Sequence, residues 1–292
     1  MEYQEFISAV RDRFLEKLGR ETIVRIGTVE KINGIVLDSV SVMENGVNIS
    51  PALYMNSFYE EYKDGEPFDE VFERIWDLYC RYKKNSCADV GFLHDYSKVR
   101  SHIIRRIVCT EKNVHLLENV PHREFLDLSL IYYFFTECRE YGSAAVLIRN
   151  DLMRMWQVTP DQLDAQAVQN MNKLLPWEFI SMKQLIEGLG EPEDDDFVPL
   201  YVLSNVKRCF GAAWMADEHV LQSIADRIRR DYYILPSSVH ECLILPAYQD
   251  ADRQSLRDMV CEINRSQVEP EEVLSDSVYY YSREEGKLEV AL

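Results

Sequence analysis

The sequence predicts an α+β protein built from antiparallel β-hairpins with helices packed on one face. Three observations carry this prediction. The apolar residues switch repeatedly between a period near 3.6 and a period of 2. Asn-Gly and other turn residues fall between the alternating segments. No glycine-rich phosphate cradle occurs among only 11 glycines, which argues against P-loop and dinucleotide-binding folds.

The first segment reads as an amphipathic helix. Phe6, Val10, Phe14 and Leu18 recur at helical spacing, Ile7 and Leu15 widen the stripe, and Gly19 supplies the stop. The period then becomes 2. Thr22–Ile32 and Gly34–Met43 alternate around Asn33-Gly34, and Asn45-Gly46 precedes a shorter strand near Ile49–Met55. Residues 67–84 return to a helical pattern, with Pro67 at the start and Val71, Ile75, Leu78 and Tyr82 on one face. A further helix is expected from Ser97 to Thr110, burying Val99, Ile103, Ile107 and Val108. Pro121 follows a polar stretch, so the chain is divided into an N-terminal lobe, 1–118, and a C-terminal lobe, 119–292.

The C-terminal lobe reads as repeated ββα-like units. Leu126–Phe135 and Ala144–Arg149 form the first strand pair. Its helix starts at a Thr159-Pro160 cap with Gln162 at capping-box spacing. That helix carries an apolar stripe of Leu163, Ala167, Met171 and Leu174. The second unit pairs Leu200–Leu203 with Phe210–Met215 and caps its helix with Asp217. The third pairs Tyr232–Leu235 with Cys242–Leu245, and the two units align at an offset of 32. A terminal hairpin, Val278–Ser282 with Leu288–Ala291, closes the chain. Between the first two units the run Glu191–Asp196 reads as an exposed acidic linker.

Charge narrows the partners. The formal net charge is −18, and residues 191–292 alone carry 21 acidic against 10 basic side chains. Such a field repels nucleic acid and anionic membranes and favours basic partners. One segment runs the other way, with eight basic residues against three acidic between Arg81 and Lys112. It is expected to be a solvated or ion-paired face. The seven cysteines are scattered with no CxxC pair, which points to reduced thiols and offers no metal spacing. The opening Met1-Glu-Tyr-Gln-Glu is acidic, without the apolar stretch of a secretory leader, so the cytoplasm is the expected compartment.

Chemistry concentrates in one place. Two apolar segments bracket Pro236–Glu241, where Ser237, Ser238, His240 and Glu241 lie together. A hydrolase would use Ser237 or Ser238 as nucleophile, His240 as base and Glu241 as the orienting carboxylate. Against it, neighbouring side chains on an extended strand alternate faces, and no Gly-x-Ser-x-Gly elbow is present. The same residues read more simply as a polar turn whose hydroxyls satisfy loop backbone. His94-Asp95 with His102 offers metal-ligand residue types but no further ligand at a usable spacing. No cofactor is expected. The leading expectation is a non-enzymatic binding or interaction protein, with the hydrolase as the alternative.

Several segments together resemble a bacterial family of unknown function from Gram-positive organisms. They include Gly34-Ile-Val-Leu-Asp38, Asn48-Ile-Ser-Pro51, Phe125-Leu-Asp-Leu128, Met155-Trp-Gln-Val158 with Asn170, and Leu174-Leu-Pro176. The likeness continues through Tyr201–Asn205, Gly211-Ala-Ala213, Tyr233–Glu241 and Val268–Tyr280, and so spans nearly the whole chain. The chain is also distantly similar to YtpQ-like proteins. The resemblance implies an uncharacterised bacterial cytosolic protein and transfers no catalytic residue.

Overall fold

The computed structural model describes the chain apart from residue 20 and residues 44–51, 86–89, 139–141, 188–198, 237 and 249–251. The acidic run at 191–196 therefore lies outside the described residues. The chain divides into two compact units, Met1–Phe92 and Leu93–Leu292.

The first unit contains α1 (Tyr3–Leu18), β1 (Ile23–Glu30), β2 (Val36–Met43), β3 (Ala52–Tyr54), α2 (Asn56–Lys63) and α3 (Phe68–Asn85). The strands form one antiparallel sheet in the order β1-β2-β3. Asn33 and Gly34 both adopt positive φ in the β1–β2 turn, as the Asn-Gly signal requires. Phe6, Val10 and Phe14 of α1, Val40 and Leu53 of the sheet, and Val71, Phe72, Ile75 and Tyr79 of α3 form the core. The buried face of α3 includes Phe72 and Tyr79, while Tyr82, expected on that face, is exposed.

The second unit begins with the short α4 (Tyr96–Val99), then β4 (Ile103–Cys109). Here the predicted Ser97–Thr110 helix is corrected: one helical turn and a 3₁₀ turn lead into a strand. Its β-branched Ile103, Ile104, Ile107 and Val108 are buried, so β4 lacks the alternation that marks a half-exposed strand. Next come α5 (Val114–Glu118), β5 (His122–Phe125), β6 (Leu128–Cys138) and β7 (Gly142–Leu147). The long β6 pairs with β4 along one edge, and with β5 and β7 in succession along the other. Because β4 pairs with β6 from Ile103↔Phe134 to Cys109↔Leu128, residues 93–118 fold with the C-terminal part of the chain. The units thus part at residue 92, ahead of the Pro121 signal.

Beyond β7 the chain forms α6 (Asn150–Trp156), α7 (Pro160–Leu174), β8 (Trp177–Ser181), α8 (Met182–Glu187), β9 (Tyr201–Asn205), α9 (Glu218–Ile228), β10 (Tyr232–Leu235), β11 (Cys242–Pro246), α10 (Arg253–Ser266), β12 (Tyr279–Ser282) and β13 (Lys287–Val290). The capping box at Thr159 and Gln162 is formed, and Asp217 caps α9 through the amides of His219 and Val220. Six strands make an antiparallel sheet in the order β13-β12-β10-β11-β9-β8. The predicted β10–β11 and β12–β13 hairpins are present.

The second ββα unit is not. Gly211–Ala216 is a 3₁₀ turn, and β9 pairs with β8 and β11 instead. Its buried Gly-Ala-Ala run has small side chains that let the turn pack closely. Helices meet this sheet on both faces. Leu256 and Val260 of α10 pack on Tyr233 and Leu235, whereas the Tyr232 hydroxyl donates to the Leu221 carbonyl in α9.

Candidate functional site

Three connections of the second unit meet at the end of the β10–β11 hairpin. The first is the link from Pro236 to Glu241. The second is the segment after α10: Val239 N–H donates to the Glu272 carbonyl at 2.9 Å, Ser275 N–H to the Pro236 carbonyl at 3.3 Å, and Ser238 bridges to Val273. The third is the loop from Asn205 to Gly211. Its turns are wound around the buried Asn205, whose amide donates to the Cys209 carbonyl at 2.6 Å and whose oxygen accepts from Lys207 N–H at 3.0 Å. Arg208 and Phe210 both adopt positive φ, an unusual conformation for bulky side chains.

His240 ties these connections together. Its carbonyl accepts from the Ser204 hydroxyl at 2.8 Å and from Gly211 N–H at 3.0 Å. A Cβ on Gly211 would meet the Ser204 hydroxyl and come within 2.5 Å of that carbonyl oxygen, so only glycine allows the approach. On the imidazole, Nδ1 accepts from Phe210 N–H at 3.2 Å, and Nε2 lies 3.1 Å from Glu272 Oε1. An acceptor Nδ1 carries no proton. The proton of the neutral ring is then on Nε2, donated to Glu272.

The expected site residues are therefore arranged differently from a triad. The Ser238 hydroxyl accepts from His240 N–H at 3.0 Å, and the imidazole is engaged elsewhere on both sides. Glu272, from another segment, meets the imidazole in the role expected of Glu241. Ser237 lies outside the described residues.

A column of rings extends from this point. Phe210 stacks on His240 with centroids 5.7 Å apart and on Tyr133 at 6.0 Å. The Arg106 guanidinium lies 5.0 Å from the Phe210 ring centre, and its nitrogen donates to the Glu271 carbonyl at 3.5 Å. Enclosure lowers the Arg106 pKa from the ordinary arginine value, opposed by Tyr133, Glu272 and Glu271. Arg105, on the opposite face of β4, is 3% exposed and lies 3.8 Å from Asp217. Burial lowers its pKa too, against the pull of Asp164 and Asp217. Asp164 itself accepts from Arg123 at 3.0 Å and from the Tyr132 hydroxyl at 3.1 Å.

A second polar joint lies at the β5–β6 turn. Asp127 accepts from the hydroxyls of Tyr279 at 2.6 Å, Ser277 at 2.9 Å and Ser275 at 3.3 Å. The resembling segments Phe125–Leu128 and Val268–Tyr280 thus meet through side chains.

The remaining sequence candidates have ordinary surroundings. Asp95 caps α4 by accepting from Ser97, and His102 rests against Ser101 and the Phe134 ring. Among the described residues, no group of three His, Cys, Asp or Glu side chains is placed to hold a metal ion. The thiols of Cys80, Cys109, Cys242 and Cys261 are free of disulfides, and burial raises the pKa of the Cys242 thiol. Among the described residues, no helix is long and apolar enough to cross a membrane.

Glu272, Phe210, Arg106 and Asp127 were not singled out by sequence reasoning. Only Arg105-Arg106 carried a signal, as two cations inside an otherwise apolar run.

These features define an α+β protein whose candidate site is a polar joint between loops. Residues 3–283 match the model of a family of unknown function, DUF5688, and the chain belongs to that family. No curated protein and no solved structure matches it.

Proposed function

We infer that the protein is a non-enzymatic binding protein whose acidic surface selects a cationic partner. The observation that carries this reading is the acidic excess. The chain has 32 Lys and Arg against 50 Asp and Glu, a formal net charge of −18. Burial does not cancel it, because the buried Arg105 is matched by the buried Asp164.

The geometry at His240 supports the same reading, because a hydrolytic serine needs a base on its hydroxyl. Here the hydroxyl of Ser238 is bonded to main chain. The setting we infer is the cytoplasm of a bacterium, Gram-positive by the likeness of its segments, with no nucleic-acid partner and no membrane.

The test is fluorescence anisotropy with a labelled lysine-rich peptide of about ten residues, beside a glutamate-rich peptide and duplex DNA, at about 0.05 M and about 0.5 M salt. Binding of the lysine peptide alone, weakened by salt, is expected. Equal binding of all three, or of none, would contradict the reading.

A further inference from the structure

We propose that His240 is a proton-operated latch that holds Phe210 of the Asn205–Gly211 loop only while its ring is neutral. The argument rests on what each nitrogen faces. Nδ1 accepts from Phe210 N–H at 3.2 Å, and Nε2 faces Glu272 Oε1 at 3.1 Å. A second proton has only Nδ1 to occupy, where it would point at another N–H. The Phe210 bond is then lost. At the other nitrogen the imidazolium gains a carboxylate partner, and the contact with Glu272 strengthens.

Protonation therefore moves the ring's allegiance from the loop to the segment after α10. The main chain of His240 stays in place, because Ser204 and Gly211 hold its carbonyl. The part free to respond is Phe210, at φ 55, which gives up an amide bond and its place beside the ring.

Charges of both signs lie around the ring. Glu272 meets it, with Glu271 and Glu241 next in sequence to Glu272 and His240. Arg106 lies over the Phe210 ring, Lys207 and Arg208 are on the loop itself, and Tyr133 closes the column uncharged. Among side chains, imidazole is the one whose ordinary titration lies between pH 5 and 8.

The experiment uses the full chain. Nitrogen-15 shifts of the imidazole report the tautomer, and hydrogen exchange reports Phe210 N–H protection, corrected for intrinsic rates. At about pH 8 Nδ1 should be unprotonated, and protection at Phe210 should fall about tenfold by about pH 5. In His240→Gln, whose amide offers one acceptor and one donor but cannot titrate there, protection should stay within about twofold. Three wild-type results would each overturn the latch: a proton on Nδ1 at pH 8, a ring still neutral at pH 5, or unchanged Phe210 protection as the ring titrates. An equal loss of protection in His240→Gln would also overturn it. The wild-type measurements decide the matter even if that variant does not fold.

Discussion

In the first unit Phe6 packs on Phe68, and Phe14 on Phe72 and Trp76, ring against ring, and the ion pairs lie outside, as with Lys17 and Glu73. In the second, Asn170, Ser204, Asn205 and Asn264 are buried, and each hydrogen-bonds to main chain. Apolar packing is non-directional and rewards any close fit. A buried amide is directional, because an unpaired donor or acceptor inside the protein costs about 1–3 kcal/mol. The first means of holding a chain together makes a stable lobe. The second fixes particular loop conformations, including the positive φ values of Arg208 and Phe210. That is why the candidate site lies in the second unit.

The largest expected effect that separates the units is alkaline. Burial raises the pKa of the Tyr132, Tyr232 and Tyr279 phenols, helped by Asp164 at Tyr132 and Asp127 at Tyr279. A hydrogen bond to Asp231, with burial, pushes Tyr280 up to about 12. All four are in the second unit. In the first, Tyr3 is shifted this way, by burial and Asp38. A raised folded value means the contribution is fully present below the unfolded value near 10 and is lost as pH climbs through the folded one. Between those two values each of the buried phenols Tyr132, Tyr232 and Tyr279 lowers stability by up to about 1.4 kcal/mol per pH unit. Urea melts at pH 9 and pH 11, followed by hydrogen-bond-sensitive probes in each unit, should show the second unit losing more.

Next comes Phe14→Ala. It should destabilise the first unit by about 3–5 kcal/mol in a denaturant melt, since its ring is fully buried among others. Asn205→Ala should cost the second unit about 1–3 kcal/mol, because it removes the side-chain bonds to the Cys209 carbonyl and the Lys207 amide. The direct sign of that loss is faster exchange at Lys207 N–H. The smallest effect is Lys17→Ala, under about 1 kcal/mol, as a partly exposed ion pair contributes little. A loss at Lys17 as large as that at Asn205 would break the contrast between the two units.

The same contrast explains how much of the fold was legible in the sequence. The helix at Tyr3–Leu18, the Asn33-Gly34 hairpin, the Thr159 capping box and the Asp217 cap are local patterns, and each is present in the fold. Strand β4 was hidden, because a short strand buried on both faces reads like a buried helix. Phe210–Met215 read as a strand by its apolar content, although Gly211 and the two alanines form a tight turn.

At the site, the gathering of Ser238 and His240 between two apolar segments marked the connection at which three loops meet. Its partners did not show, since Phe210 and Glu272 lie 30 and 32 residues away and reach His240 only through sheet topology. One polar residue in an apolar pattern did carry a signal. Asn170 falls on the apolar stripe of α7, and it donates to the carbonyls of Arg100 and Ile103 beside β4.

In the Pro236–Glu241 connection the imidazole of His240 is bonded to Phe210 and Glu272 and not to the Ser238 hydroxyl. Labelling of the native protein with a serine-reactive phosphonate, mapped by peptide mass spectrometry, tests it most directly. No labelling of Ser237 or Ser238 above the background of other serines is predicted, because both ring nitrogens are engaged, with Phe210 and Glu272. Stoichiometric labelling at either serine, abolished by His240→Ala, would contradict the account and establish the hydrolase.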